Sequence, residues 1–177
     1  MTPRLLGFSL AALTFVLDQA LKAWILYGLR LPESPPIRVG WLFDLVMVWN
    51  RGISYGLFQQ HEDWGRYGLV VLSVAAAVGL GIWLMRSSGW VLALGLGLLI
   101  GGALGNAVDR FVYGAVVDFV LLYWIPVFPY VFNLADSAIV AGVGLLLYDS
   151  LVLEGRRGHA SRMANEGGTS EGASNQP

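Results

Sequence analysis

The stretch WVLALGLGLLIGGALGNAV, residues 90–108, carries no charged side chain and runs directly into Asp109. As a helix rising about 1.5 Å per residue it reaches about 28 Å, close to the roughly 30 Å of a bilayer's hydrocarbon core. Small residues recur along it at four-residue spacing, at Gly97, Gly101 and Gly105. Such a stripe lets a second helix approach closely. The stretch therefore predicts a membrane-spanning helix that packs against others.

Three further apolar stretches of membrane length flank it, at residues 5–27, 67–85 and 129–153. Of the 177 residues, 56% are hydrophobic and 13% are charged, against about 25% charged in ordinary soluble domains. The sequence predicts an all-α membrane protein with four transmembrane helices in a single membrane domain, residues 1–154. The formal net charge of -1, without a cluster of Lys and Arg, argues against a nucleic-acid partner.

The outer loop, residues 30–66, is too long for a simple connector and contains two β-rich runs, IRVGW at 37–41 and FDLVMVW at 43–49. β-branched and aromatic residues bounded by proline and glycine predict a small strand pair here. Aromatic residues on this side would form an interfacial belt: Trp41, Trp49, Tyr55, Trp64, Tyr67, Tyr123, Trp124 and Tyr130. Residues 155–177 lack apolar periodicity and are predicted to be a disordered tail.

An even number of spans places both termini on the same side of the membrane. Arginines are equally numerous on the two sides, so their number alone does not orient the chain by the positive-inside rule. Arg156 and Arg157 closely follow the fourth span, whereas the arginines of the opposite loop are mixed with acids. We therefore predict that the termini and the tail are cytoplasmic and that the outer loop is extracytoplasmic.

Acids and amides lie at the edges of the third and fourth spans in two Asn-x-x-Asp pairs, Asn106/Asp109 and Asn133/Asp136, with Asp118 between them. An ionised acid at the centre of a membrane helix costs about 2.5–3.5 kcal/mol on insertion scales, so such acids tend to be functional. Any one of them could instead cap a helix or pair with a cation. Together, three acids within 28 positions predict a carboxylate site at membrane depth.

Clustered carboxylates fit more than one function. Two acids a few Å apart share a proton and can activate water for peptide hydrolysis. The alternative is a small cation- or proton-coupled transporter, in which the repeated Asn-x-x-Asp supplies oxygen ligands, and a non-catalytic scaffold is a third possibility. The chain has no Cys, and its two histidines, His61 and His159, do not form a His-Glu-x-x-His element, so thiol catalysis and that zinc site are excluded.

Other polar residues have two interpretations each. Asp18 and Lys22, four residues apart with the acid first, have the favourable order for a structural ion pair in the first span, or they contact substrate. Arg110 is an interface anchor or a donor to a substrate carbonyl. Asn50 and Asn106 are loop or cap residues, or they grip an extended peptide.

Five motifs in order resemble the lipoprotein signal peptidases, or signal peptidase II, the intramembrane aspartyl proteases of bacteria. They are DQ at 18–19 with Lys22, NRGISYG at 50–56, GNAVDR at 105–110, VVDF at 116–119 and FNLADS at 132–137. Each motif alone is weak, and the five in order, across roughly residues 10–150, are specific.

The resemblance implies a catalytic pair, Asp118 and Asp136. The residues it implies for the lining of the site are Asn50, Asn106, Asp109, Arg110 and Asn133. It further implies that the protein removes signal peptides from diacylglyceryl-modified prolipoproteins, cutting just before the lipidated Cys, in the bacterial inner membrane with the site near the outer face. The expected partners are these precursors and membrane lipid, the expected state is a monomer, and no metal or organic cofactor is implied.

Such a pair requires two distant segments to meet. A fourth helix that begins at Pro129 would hold Asp136 about two turns below its start, and Asp118 would reach it from the preceding loop. Asn133, one turn before Asp136, would orient its carboxylate or cap the helix.

Overall fold

The computed structural model describes residues 1–52, 63–122 and 130–154. The α-helices in these ranges are α1 (Pro3–Ala23), α2 (Asp63–Arg86), α3 (Trp90–Tyr113) and α4 (Leu134–Tyr148). Together with the helical residues that continue α1 and α4, all four are long and apolar enough to cross a membrane. Short π-helices, Trp24–Gly28 and Asp149–Glu154, continue α1 and α4. The prediction of an all-α membrane fold with four transmembrane helices and a small β region is confirmed.

The third helix is longer than the apolar run that predicted it. α3 continues past residue 108 and ends where Gly114 adopts φ 80°, a left-handed conformation that favours glycine at the end of a helix. Asp109 and Arg110 therefore lie in its last turns. Their charged side chains have partners inside the protein, Lys22 for the acid and the Gly52 carbonyl for the guanidinium.

The fourth helix does not begin at Pro129, which lies outside the described residues, and that prediction is wrong. α4 begins at Leu134, and Asn133 is its N-cap. The side chain of Asn133 accepts from the backbone N–H of Asp136, and the Asp136 carboxylate accepts in return from the backbone N–H of Asn133, which is a capping box. Asp136 thus lies in the first turn, nearer the end of the bundle than predicted.

α3 is the centre of the bundle, with α1, α2 and α4 packed around it. In the most apolar part of α3, 56% of the residues are buried, against 11–28% in the other spans. Its glycine stripe brings the helices together: a Cβ at Gly101 would lie 2.6 Å from the Ala11 carbonyl oxygen, and one at Gly102 equally close to the Ala135 carbonyl. The predicted role of small residues in close packing is therefore confirmed.

The β region is a four-stranded antiparallel sheet in the order β1 (Ile37–Val39), β2 (Phe43–Asn50), β3 (Val116–Leu121) and β4 (Val131–Phe132). The predicted pair, β1 and β2, is present, and Gly40 at φ 63° lies between them. β3 and β4 were not predicted. Asp118 was expected in a loop, but it lies within β3 opposite Val48 of β2, just beyond an irregularity in that ladder.

The sheet lies over the end of the bundle where α1 and α3 finish and α4 begins. A hydrophobic cluster joins it to the turns that follow α1 and includes Ile25, Leu31, Val117 and Phe119. Several predicted belt residues are exposed on this side: Trp41, Trp49, Trp64 and Tyr67. Tyr55, Tyr123 and Trp124 lie outside the described residues, so the belt stays a prediction, as does the tail at 155–177.

Candidate functional site

Asp118 is held in β3 with almost no exposure. Its side chain is 1% exposed, and both carboxylate oxygens accept hydrogen bonds from side-chain amides. Asn133 Nδ2 donates to Oδ1 over 2.7 Å, and Asn50 Nδ2 donates to Oδ2 over 3.0 Å. Because β2 carries Asn50 opposite Val116, the sheet itself brings this amide to the acid.

Asp136 occupies the third position of α4 and is half-buried. Its Oδ1 accepts from Asn106 Nδ2 over 2.8 Å, and its backbone N–H donates to Asn133 Oδ1 over 2.9 Å. Asn133 therefore donates to both carboxylates, to Asp118 through its side-chain nitrogen and to Asp136 Oδ2 through its backbone N–H over 3.4 Å. Two acids 18 positions apart in the chain are joined through one residue.

Burial and a neighbouring charge act on the Asp118 carboxyl. Burial first, and then repulsion from Asp136, raise the pKa of Asp118 to about 7. Hydrogen bonds from Asn50 and Asn133 and the charge of Lys22 lower it, but they do not offset the rise. A carboxyl with this pKa is partly protonated at neutral pH, so it can donate a proton as well as accept one.

A cavity of about 330 Å³ adjoins Asp136, and Asp118 is not among its lining residues. Its polar lining comprises Asn50, Ser73, Asn106, Arg110, Tyr130 and Asp136. The rest is apolar or small and comes from α2, α3, β3 and α4. Arg110 donates to the Gly52 carbonyl over 3.0 Å, while its buried Nε has no hydrogen-bond partner among the described residues. The cavity therefore offers a carboxylate and a cationic donor side by side.

A second polar layer lies beneath the pair, where Asp18, Lys22 and Asp109 are 0–2% exposed. Lys22 Nζ lies 2.8 Å from Asp18 Oδ2 and 2.6 Å from Asp109 Oδ2, so the predicted ion pair has a second acid in it. Gln19 Nε2 donates to Asp109 Oδ1 over 3.0 Å and to the Gly105 carbonyl over 3.2 Å.

The predicted site residues all lie at this end of the bundle, but not all line the cavity. Asn50, Asn106, Arg110 and Asp136 line it. Asp109 and Asn133 were expected to line it too, and both are fully buried behind its wall. Gln19 was not singled out as a site residue, although a polar side chain next to Asp18 in an apolar span was the available signal.

The two Asn-x-x-Asp pairs, which could supply oxygen ligands to a cation, have different surroundings. Within residues 1–52, 63–122 and 130–154, no three His, Cys, Asp or Glu side chains form a group that could hold a metal ion. The two Asn-x-x-Asp pairs are also unlike each other. One ends α3 and has its acid paired with Lys22, whereas the other begins α4 and has its acid at the cavity.

Comparison with known proteins gives concordant matches. A family model described as signal peptidase (SPase) II matches residues 10–152. A lipoprotein signal peptidase of Methylobacterium radiotolerans is 52% identical over 166 residues, covering 91% of this chain and 94% of the relative. One from Rhodopseudomonas palustris is 47% identical over 161 residues, covering 86% and 95%.

Two solved structures share the fold, and each is described as a bacterial membrane enzyme. Their TM-scores are 0.71 and 0.69, at 23% and 22% identity, over 82% of this chain in both cases and 87% and 92% of theirs. Because the family model spans most of the chain and the sequence relatives cover nearly all of it, the chain belongs to the signal peptidase II family and is a multi-pass membrane protease.

Proposed function

We propose that this protease is an intramembrane aspartic endopeptidase with Asp118 and Asp136 as its catalytic pair. The observation that carries the proposal is that one residue, Asn133, donates to both carboxylates, to Asp118 through Nδ2 and to Asp136 through its backbone N–H. Both are tied into a preorganised network of amide donors. An aspartic mechanism needs two carboxylates in fixed relation, one protonated and one ionised.

The raised pKa of Asp118, about 7, supports a division of labour. In the proposed reaction Asp136, which faces the cavity, takes a proton from the attacking water while Asp118 gives its proton to the scissile carbonyl oxygen. As the tetrahedral intermediate collapses, the C–N bond breaks and Asp136 passes its proton to the leaving nitrogen. Asp118 recovers a proton from the hydroxyl that becomes the new carboxyl group's carbonyl oxygen, which restores the starting state.

Arg110 is the side chain best suited to hold the peptide. Its guanidinium lines the cavity and has five N–H donors, and the contacts within the described part of the chain to the Asn106 and Gly52 carbonyls use two of them, so others can donate to a substrate carbonyl. The amides of Asn50 and Asn106 already donate to Asp118 and Asp136. We therefore assign these two asparagines to orienting the acids rather than to gripping the substrate.

The walls of the cavity support entry of the substrate from the bilayer. Leu72 of α2 and Val140 of α4 line it and are 63% and 73% exposed, so they would face lipid in a membrane. Both helices pack on α3, and the cavity lies between them. An apolar, lipid-modified segment reaches such a site without crossing water. Together with the relatives named lipoprotein signal peptidase, this supports diacylglyceryl-modified prolipoproteins as substrates, cut just before the lipidated Cys.

The proposed setting is the bacterial inner membrane with both termini cytoplasmic. The described N-terminus and the end of α4 lie at the opposite end of the bundle from the site, so this orientation puts the site near the outer face. The proposed oligomeric state is a monomer.

The test is incubation of the purified protein with a diacylglyceryl-modified precursor, followed on a gel. We expect release of the signal peptide and a mature fragment that begins at the lipidated Cys, as identified by mass spectrometry. A parallel proton- and cation-flux assay in liposomes addresses the transporter alternative. Flux without cleavage would overturn the proposal.

A further inference from the structure

The buried layer beneath the catalytic pair is connected to it at specific atoms. We refer to Asp18, Lys22 and Asp109 as the Lys22 clamp. Lys22 and Asp18 come from α1, and within the described part of the chain no residue of α1 lines the cavity. The clamp can therefore act on the cavity only through other residues.

Each acid of the clamp holds the backbone immediately before one proposed catalytic residue. Asp18 Oδ1 accepts from the backbone N–H of Ala135 over 2.9 Å, one position before Asp136. Asp109 Oδ2 accepts from the backbone N–H of Val117 over 3.1 Å, one position before Asp118. Lys22 binds both of these acids and so links the start of α4 to the start of β3.

Lys22 also contributes to the orientation of Asn106, whose oxygen accepts from both Lys22 Nζ and Asn133 Nδ2. An ammonium group only donates, so the contact of 3.3 Å from Lys22 Nζ directs the Asn106 oxygen towards it. The Asn106 nitrogen is thereby directed to Asp136, to which it donates over 2.8 Å. Lys22 is thus connected to Asp136 in two ways, through Asp18 and through Asn106. It is connected to Asp118 through Asp109.

We propose, on the basis of the proposed function, that the Lys22 clamp is a positioning device that sets the separation of the Asp118 and Asp136 carboxylates. A buried ion pair adds little net stability, because removing charges from water offsets most of their attraction. Catalysis, by contrast, is sensitive to geometry, and a misplacement of about 1 Å can cost about 10²-fold in rate.

The test moves the clamp without changing any charge. A Cβ at Gly105 would lie 2.5 Å from Asp18 Oδ2, so Gly105→Ala displaces that carboxylate. The matched control is Gly97→Ala, two turns away on the same face of α3, where a Cβ meets the Gly7 backbone instead. Cleavage is measured in detergent as kcat, KM and a pH profile, with thermal unfolding recorded for each variant.

We expect Gly105→Ala to lose at least about tenfold in kcat relative to Gly97→Ala, with similar KM values. The alkaline limb of its pH profile should also move to lower pH, because a looser pair repels less and gives up its shared proton more easily. This variant retains all the charged groups beside the pair, namely Asp18, Lys22, Asp109 and Arg110. A shift of the alkaline limb therefore reports a change in the separation of the Asp118 and Asp136 carboxylates. A loss of folded protein alone would not move it.

Equal kcat losses in the two glycine variants, with the wild-type pH profile in both, would overturn the clamp proposal. If Gly105→Ala does not fold, the near-isosteric variant Asp109→Asn is used instead. We expect it to lose about 10–100-fold in kcat with an unchanged KM. Full kcat in Asp109→Asn would also overturn the clamp proposal. Wild-type cleavage in the same series keeps the two proposals distinct. If the wild-type protein does not cleave the precursor, both the proposed function and the clamp proposal fail. If it does cleave and the clamp variants cleave equally well, only the clamp proposal fails.

Discussion

The side-chain nitrogen of Asn133 lies 2.7 Å from Oδ1 of Asp118, the shortest of its three donor contacts. The orientation of this amide is forced, because its oxygen caps α4 by accepting from a backbone N–H of the first turn. A helix cap, which is ordinarily a matter of stability, here also delivers a hydrogen-bond donor to a buried acid.

The two roles of Asn133 can be separated by substitution. Asn133→Ser retains a good N-cap but removes the amide that reaches Asp118, whereas Asn133→Ala removes both. We expect both variants to lose most of their kcat. The alanine variant alone should also lose about 1 kcal/mol of stability from the missing cap.

Thermal unfolding and cleavage assays on the same preparations measure this difference. Near-normal kcat in Asn133→Ser would mean that the contact with Asp118 has no part in catalysis. Equal stability of the two variants would mean that the cap contributes little to the helix.

Loss of either acid of the pair should abolish cleavage. Asp118→Asn and Asp136→Asn remove the group that carries or accepts the shared proton, so we expect kcat to fall by at least about 10⁴-fold. Both variants should remain folded and membrane-inserted. The matched control is Asp44→Asn, in which the acid belongs to a sheet ion pair with the exposed Arg38 and should leave kcat unchanged. Near-normal turnover in either pair variant would contradict the assignment.

Hydropathy was enough to predict the four spans, because crossing a membrane requires only length and apolarity. The helix ends were less predictable. α4 starts at Leu134 because Asn133 and Asp136 satisfy its free N–H groups, and its apolar pattern does not mark that position. The strand pair β1–β2 is local and was predicted. β3 pairs with β2 from about 70 residues away, and only tertiary contact specifies that register.

The candidate site shows the same limit. Acids in an apolar chain are conspicuous, so Asp118, Asp136 and Asp109 were found from sequence. The different environments of these acids could not be predicted from sequence. The i, i+4 spacing indicates that Asp18 is an ion-pair partner of Lys22, but it does not indicate that Asp109, 87 positions from Lys22, is a second partner. Residue type and spacing identified the set of residues, and the folded arrangement distinguishes the cavity wall from the layer behind it.

The lipid of the substrate should contribute to binding. The cavity has exposed apolar side chains at Leu72 and Val140, and each buried methylene of an acyl chain contributes about 0.8 kcal/mol. We therefore expect an unlipidated precursor of the same sequence to have a much higher KM. The measurement compares the two precursors at several concentrations in the same detergent. Equal kcat/KM for both would exclude a contribution from the lipid.

The C-terminal tail should be dispensable. Residues 158–177 have no apolar periodicity and contain none of the proposed site residues. A chain truncated after Arg157 keeps α4 and the basic pair Arg156 and Arg157, so we expect wild-type kcat/KM and unchanged membrane insertion. A large loss of turnover in this variant would show that the tail has a role that its composition does not indicate.

The pH dependence of cleavage tests the shared proton directly. The competent form carries one proton on the pair, so activity should fall at acid pH, when the second carboxylate takes up a proton, and at alkaline pH, when the shared one is lost. Because burial and the charge of Asp136 raise the pKa of Asp118 to about 7, a carboxyl that would ordinarily ionise well below neutrality keeps its proton up to that range. The alkaline limb should therefore have its midpoint near pH 7. A pH series of kcat/KM in detergent measures the profile, with folding checked at each pH. If kcat/KM instead rises through one ionisation to a flat plateau at high pH, the doubly ionised pair is competent and the shared-proton mechanism is wrong.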